Sequence, residues 1–159
     1  MIRNFGHSRA RLTLPRPLPK VYDMAFLEAL TRHPYVTAGL GGAIGSVGRV
    51  VMTDLVTRWT GDRFPFGTVA VNITGALLMG LLAGYGETDP GKLVFSQPAR
   101  SFLMIGILGG YTTFSSFSLQ TFLLFEQGNV TGALLNMLLS VILCVLGVWA
   151  GFSLIRACS

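Results

Sequence analysis

The segment of the sequence with the most residues that could contact an ion is GGYTTFSSFS, residues 109–118. Two adjacent glycines followed by five hydroxyl side chains in seven positions weaken a helix at this point. Within a membrane, backbone groups freed in this way are tolerated only inside protein or along a cavity, where carbonyl oxygens can coordinate a cation. Phe114 and Phe117 lie three residues apart, on one helix face. Because an aromatic ring has a positive edge, two inward-pointing edges could contact a small anion; alternatively, both rings face lipid or fill the core.

Two polar residues earlier in the chain interrupt apolar surroundings. Arg49 is a charge inside an apolar stretch, and intramembrane charges generally have a function. It can attract an anion to the mouth of a pathway, or it can anchor its helix by reaching the membrane surface. Asn72, in GTVAVNITG, needs hydrogen-bonding partners in lipid. Its amide can donate to an anion or join two helices, and spacing alone does not separate these roles.

A third polar pair lies near the end of the chain. Asn136 and Ser140 are four residues apart and share a helix face. They can extend a polar line beside the phenylalanines, or they can hydrogen-bond a neighbouring helix. Cys144 continues this face and is interpreted as packing.

The elements that must position these residues are membrane helices. The chain has 159 residues, of which 51% are hydrophobic and 12% charged, whereas a soluble domain carries about 25% charged residues. The chain contains four long apolar stretches, and each exceeds the roughly 20 residues that a helix needs to cross a bilayer. We therefore predict an all-α membrane protein. Its four helices should lie at about 34–56, 66–86, 101–125 and 132–155, the third broken in mid-membrane.

Glycine pairs spaced four residues apart occur in every predicted span. Such pairs let helix backbones approach closely in lipid. Four closely packed helices form too small a bundle to enclose a wide pore, so we expect association with a second copy. The pairs are Gly41/Gly45, Gly80/Gly84, Gly106/Gly110 and Gly147/Gly151.

Residues 1–33 differ from the remainder, the channel domain at 34–156. They contain six basic residues and three alternating prolines, and they lack a long apolar run. We expect a disordered cytoplasmic arm, or residues upstream of a true start at Met24. The formal charge of +5 does not indicate a nucleic-acid partner, because no basic face would remain on the folded surface.

Four motifs together resemble the family of Fluc (CrcB) fluoride ion channels. In order along residues 36–155, they are GAIGSVGR (42–49), GTVAVNITGALLMG (67–80), GILGGYTTFSSFSLQT (106–121) and ALLNMLLS (133–140). Two positions depart from the family pattern: Ser116 stands where Thr is usual, and Gln120 where Glu is common. The first keeps the hydroxyl; the second puts any role of that carboxylate in doubt.

The resemblance implies a fluoride-selective channel in the cell inner membrane that exports cytoplasmic fluoride passively and protects against its toxicity. It implies an antiparallel, dual-topology dimer, either of two identical chains or with an oppositely oriented homologue. It also implies a structural Na⁺ at the dimer interface, held by the main-chain carbonyls of Gly109 and Thr112. The residues assigned to the fluoride pathway are Arg49, Asn72, Phe114, Ser115, Phe117, Asn136 and Ser140.

The alternative function is that of a small multidrug-type, proton-coupled transporter, which also has four short helices. Proton-coupled export of cations needs an acidic residue inside a span. Asp54 is the only acidic residue within a predicted span, and it lies near a helix end. An enzymatic function is not expected.

Overall fold

The computed structural model describes residues 24–87 and 95–158, and these residues are helical almost throughout. Apolar composition and the confinement of proline to first turns favour this arrangement, because a backbone in lipid must satisfy its own hydrogen bonds. The segments are α1 (Met24–Arg32), α2 (Pro34–Thr60), α3 (Phe66–Glu87), α4 (Gln97–Arg100), a π-helix (Ser101–Leu108), α5 (Gly109–Tyr111), α6 (Phe114–Glu126) and α7 (Val130–Cys158).

Four of the helical stretches are long and apolar enough to cross a membrane, which confirms the predicted number of spans. Most of these helices extend a few residues beyond their predicted ends, because a helix can continue outside the hydrocarbon region until a residue stops it. At the end of α2 that stop is Gly61, whose φ of 78° is a left-handed conformation that glycine adopts readily. The stretches are Pro34–Thr60, Phe66–Gly86, Gln97–Glu126 and Val130–Cys158.

The segment before the first span differs from our expectation of a disordered arm. Met24–Arg32 forms helix α1, and residues 1–23 lie outside the described residues. The physical reason is local, since MAFLEALTR contains no glycine or proline and several strong helix formers. A salt bridge of 2.6 Å between Arg32 and Glu28, one helical turn apart, adds to it.

The helices pack in pairs through the glycines. α2 lies against the π-helix and α5, and α3 lies against α7. A methyl group added at Gly106 would approach the Ala38 carbonyl oxygen to 2.8 Å, and one at Gly84 would approach that of Phe152 to 2.9 Å. Neither space could hold a side chain, so the prediction of close backbone packing is confirmed at these contacts.

The helical path through the third span changes direction at two residues. α5 ends at Tyr111, Thr112 is extended (φ −78°, ψ 157°), and Thr113 is extended as well (φ −150°, ψ 117°). α6 then begins at Phe114, with the Thr113 hydroxyl accepting a hydrogen bond from the Ser116 N–H as the helix cap.

Candidate functional site

Asn72 on α3 holds the extended residues between α5 and α6. Its Nδ2 donates to the Thr113 carbonyl oxygen at 3.1 Å, and the Thr113 N–H donates to its Oδ1 at 2.8 Å. One side chain thus satisfies both backbone groups of one residue outside a helix, as a low-dielectric environment requires. The sequence left two roles open for Asn72, donating to an anion or joining two helices. These two hydrogen bonds join α3 to the third span. The second Nδ2 hydrogen is not used in this pair of bonds, so the amide keeps a donor.

The same arrangement redirects the backbone bonds of the preceding turn. In a continuous helix, the Thr113 N–H would bond the Gly109 carbonyl and the Ser116 N–H would bond the Thr112 carbonyl. Here these two N–H groups donate instead to Asn72 Oδ1 at 2.8 Å and to the Thr113 hydroxyl at 3.2 Å. The carbonyl oxygens of Gly109 and Thr112 are therefore left without their helical donors.

Tyr111 fixes this turn from a second direction. Its hydroxyl lies 3.0 Å from the hydroxyl of Thr74 on α3. Gly75, the next residue on α3, faces the methyl group of Thr112 so closely that a side chain would not fit there. Asn72, Thr74 and Gly75, all in the NITG motif, thus set the backbone path from Tyr111 to Thr113.

A groove of about 380 Å³ runs along the surface beside this turn. It lies between α3, the start of α6 and α7, and most of its wall is apolar. Its polar groups come from the predicted site and from the adjoining turn. The lining includes Asn72, Thr113, Phe114, Phe117, Ser140 and Cys144.

Phe114 and Phe117 contact each other, but their environments differ. Their ring centroids are 5.3 Å apart and the rings are inclined by 49°. Phe117 is 8% exposed, whereas Phe114 is 77% exposed in the single chain. Phe117 therefore faces protein, as a ring that fills the core also would, and the exposed ring of Phe114 leaves one side of the groove open.

The polar residues of α7 divide between the groove and the contact with α6. Ser140 lines the groove, and its buried hydroxyl has no hydrogen-bonding partner in the part of the chain that the structure describes. Asn136 is 1% exposed and donates through Nδ2 to the hydroxyl of Thr121 at 2.8 Å. The Thr121 hydroxyl in turn donates to the Phe117 carbonyl at 2.8 Å. Sequence reasoning missed Thr121, because its contact with Asn136 depends on how α6 and α7 are aligned.

The remaining predicted residues lie at the margins of this arrangement. Ser115 is exposed, with its hydroxyl 3.3 Å from that of Thr113. Arg49 is half-buried on α2, and within the described part of the chain it makes no ion pair. Gln120, where the sequence departs from the family, has a buried Oε1 that no group in residues 24–87 or 95–158 hydrogen-bonds, and it lines a second cavity, of about 270 Å³.

A known family and several known proteins match most of this chain. Residues 36–152 match the family described as CrcB-like protein, Camphor Resistance (CrcB). A protein of Rhodopseudomonas palustris named fluoride-specific ion channel FluC is 47% identical over 123 residues, which is 77% of this chain and 97% of that protein. One of Coxiella burnetii with the same name is 51% identical over 113 residues, 70% of this chain and 89% of that protein.

A third relative, from Nitrobacter hamburgensis, is named fluoride-specific ion channel FluC 2. It is 44% identical over 126 residues, covering 77% of this chain and 96% of the relative. The matched region contains the second and third spans, most of the first and fourth, and every residue of the candidate site. The chain is therefore a multi-pass membrane protein that belongs to the CrcB family.

Proposed function

We propose that this chain is a fluoride channel that lets cytoplasmic fluoride leave the cell down its gradient. Two relatives, each matched to this chain over almost its whole length, are named fluoride-specific ion channels. The observation that carries the proposal is the groove in which the Phe114 and Phe117 rings meet the Asn72 amide and the Ser140 hydroxyl. The protein is a channel and not an enzyme.

The chemistry of the groove suits a small, strongly hydrated anion. Fluoride gives up its water only where close donors and positive ring edges replace it. The second Nδ2 hydrogen of Asn72 and the unpartnered hydroxyl of Ser140 are such donors, and the rings of Phe114 and Phe117 line the same groove. Asn136 continues the polar line along α7. Arg49 and Ser115 belong to the approaches, where a positive charge concentrates the anion at a narrow entrance.

The open side of the groove supports an assembly of two chains. A phenylalanine that is 77% exposed beside a polar turn needs cover from protein rather than lipid if a dehydrated anion is to pass. A second copy in the opposite orientation would close both grooves at once, with the third spans interrupted in mid-membrane. The proposed partner is therefore an antiparallel copy of the chain, or an oppositely oriented homologue.

The carbonyl oxygens of Gly109 and Thr112 fit a structural Na⁺ at the centre of such a dimer. Both lack their helical donors because Asn72 and Thr113 take the N–H groups, and hard cations bind carbonyl oxygens. When bound, the ion supplies positive charge and a fixed geometry where the two chains meet. Asn72 and Tyr111 hold the backbone that presents these oxygens.

The multidrug-transporter alternative is not supported. Asp54, the acidic residue on which it depended, is exposed and lies near the end of α2, one turn before Arg58. The relatives are named as fluoride channels.

Efflux from liposomes tests the proposal directly. Vesicles containing this chain alone are loaded with potassium fluoride or potassium chloride, and release is started with a potassium ionophore and followed with an ion-selective electrode. Passive release of fluoride without release of chloride is expected. Equal release of both anions, or no release of either from both the full chain and the form that lacks residues 1–23, would refute the proposal.

A further inference from the structure

At the contact between α6 and α7, two consecutive hydrogen bonds join Asn136, Thr121 and Phe117. The proposed ion pathway does not explain them. The Asn136 amide donates to the Thr121 hydroxyl, and the Thr121 hydroxyl donates to the Phe117 carbonyl, each at 2.8 Å. Thr121 is 6% exposed and Asn136 is 1% exposed. Because both side chains are buried, water does not compete for these hydrogen bonds.

Two polar atoms beside these hydrogen bonds have no hydrogen-bonding partner among the described residues. They are Oδ1 of Asn136 and Oγ of Ser140, both buried and one helical turn apart on α7. A buried acceptor without a donor is unfavourable, and such atoms in a native structure call for an explanation. Ser140 lines the groove that contains Phe117, and Asn136 lies one helical turn before it on α7.

Rotation of the Asn136 amide by half a turn would exchange its two ends. The Thr121 hydroxyl can then donate to Oδ1, since a hydroxyl both donates and accepts. The Phe117 carbonyl keeps the backbone bond that it accepts from the Thr121 N–H within α6. Nδ2 would take the position of the unpartnered Oδ1, and α7 would present an amide N–H beside the Ser140 hydroxyl.

We propose that Thr121 is a positioning residue that holds the Asn136 amide in either orientation and so lets α7 offer N–H and O–H donors to a passing anion. This inference rests on the proposed fluoride function. The orientation in the structure, with Oδ1 unpartnered, belongs to the anion-free state. The rotated orientation is stabilised only when an anion accepts the N–H, because charge-assisted hydrogen bonds are the stronger ones.

Fluoride efflux from liposomes containing the Thr121→Val and Thr121→Ser variants tests the inference. Val has the shape of Thr but cannot donate to Oδ1, so we expect efflux to fall roughly tenfold, the equivalent of one hydrogen bond to a charged group. Ser keeps the hydroxyl, and its efflux should stay within about twofold of the unmodified chain. The half-saturating fluoride concentration should rise in Thr121→Val alone.

Two further measurements separate positioning from a purely structural role. Thr37→Val is the matched control, since Thr37 is a buried threonine whose hydroxyl bonds helix carbonyls at the start of α2; its efflux should be unchanged. Thr121→Val combined with Asn136→Leu removes the buried amide as well, and should fold stably without recovering efflux. If the unmodified chain does not conduct fluoride, the proposed function fails; if it conducts and Thr121→Val conducts equally, only the role of Thr121 is refuted.

Discussion

At the scale of single residues, the two phenylalanines give the sharpest test of how the ion is contacted. Replacing Phe114 and Phe117 by Ile keeps apolar bulk and removes the positive ring edges, so fluoride efflux should fall by roughly tenfold or more. Phe122→Ile is the matched control, because Phe122 is a 57% exposed ring on the same helix. Liposome efflux with each variant measures the effect. Unchanged efflux from the double variant would mean that the rings only fill space.

Asn72 should matter for stability as well as for conduction. Asn72→Ala removes both bonds to the Thr113 backbone and leaves two buried groups unpaired, which costs about 1–3 kcal/mol for each such group. Asn72→Asp keeps an acceptor for the Thr113 N–H but places negative charge beside the Thr113 carbonyl and the groove, so its efflux should be lower still. Thermal unfolding in detergent, measured with efflux, checks both parts. An Ala variant of normal stability and reduced efflux would assign Asn72 to the ion alone.

What sequence reasoning could say about these residues depended on residue type. Phe117, Asn72 and Ser140 stood out because aromatic and polar groups near a weakened helix have few other reasons to be there, and the structure brings all three to one groove. Thr121 did not stand out, since a threonine in an apolar helix normally bonds its own backbone, as Thr121 also does. Its contact with Asn136 depends on how α6 and α7 are aligned, which no local pattern records.

At the scale of helices, the glycine pairs set the spacing of the backbone. A methyl group at Gly45 would collide with the Ile107 carbonyl and approach the Tyr111 nitrogen to 2.8 Å. Gly45→Ala should therefore force α2 away from the third span, at about 1–3 kcal/mol for an overpacked contact. Gly39 on the same helix has open space around it, so Gly39→Ala should be neutral or stabilising by up to about 1 kcal/mol. Thermal unfolding of the two variants side by side measures the difference, and equal midpoints would contradict the packing argument.

The spans could be predicted from charge and apolar length because a bilayer imposes both on any helix that crosses it. The weakened segment could also be located, since GGYTTFSSFS is poor in helix formers. What could not be predicted is where the freed backbone groups bond. Thr113 bonds Asn72, 41 positions earlier in the chain, and only the packing of α3 against the third span determines that. Likewise, helix α1 was missed because proline and charge dominate the residues just before it.

At the scale of the assembly, sodium should be required for a stable dimer. Purification and reconstitution with N-methyl-D-glucamine in place of sodium should lower efflux and shift the protein towards monomers, measured by analytical ultracentrifugation. Thr112→Ser keeps both the carbonyl and the hydroxyl that bonds Leu108, so its dimer should be normal. Among the described residues, a methyl group added at Gly109 would meet only the Met104 carbonyl, at 3.7 Å. Loss of the dimer in Gly109→Ala would therefore indicate a clash with the partner, and a dimer equally stable without sodium would refute the sodium site.

The orientation of the chain in the membrane follows from the distribution of its charges. With both ends on one side, that side carries nine basic residues and the other side two, Arg58 and Arg63. Such a bias retains the positive side in the cytoplasm, whereas a dual-topology dimer needs chains in both orientations. Without residues 1–23, the balance is a milder four to two.

The two forms of the chain should therefore insert differently. Asp62 is exposed in the loop between α2 and α3, and Asp62→Cys with Cys144→Ser and Cys158→Ser gives one site for a membrane-impermeant thiol reagent. In sealed membranes, the form that lacks residues 1–23 should be labelled from both sides, because weak bias permits both orientations. The full chain should be labelled from the outer side alone, and would then need an oppositely oriented homologue to form a closed groove. Labelling of the full chain from both sides would show that the basic arm does not direct insertion, and that one chain suffices for the antiparallel dimer.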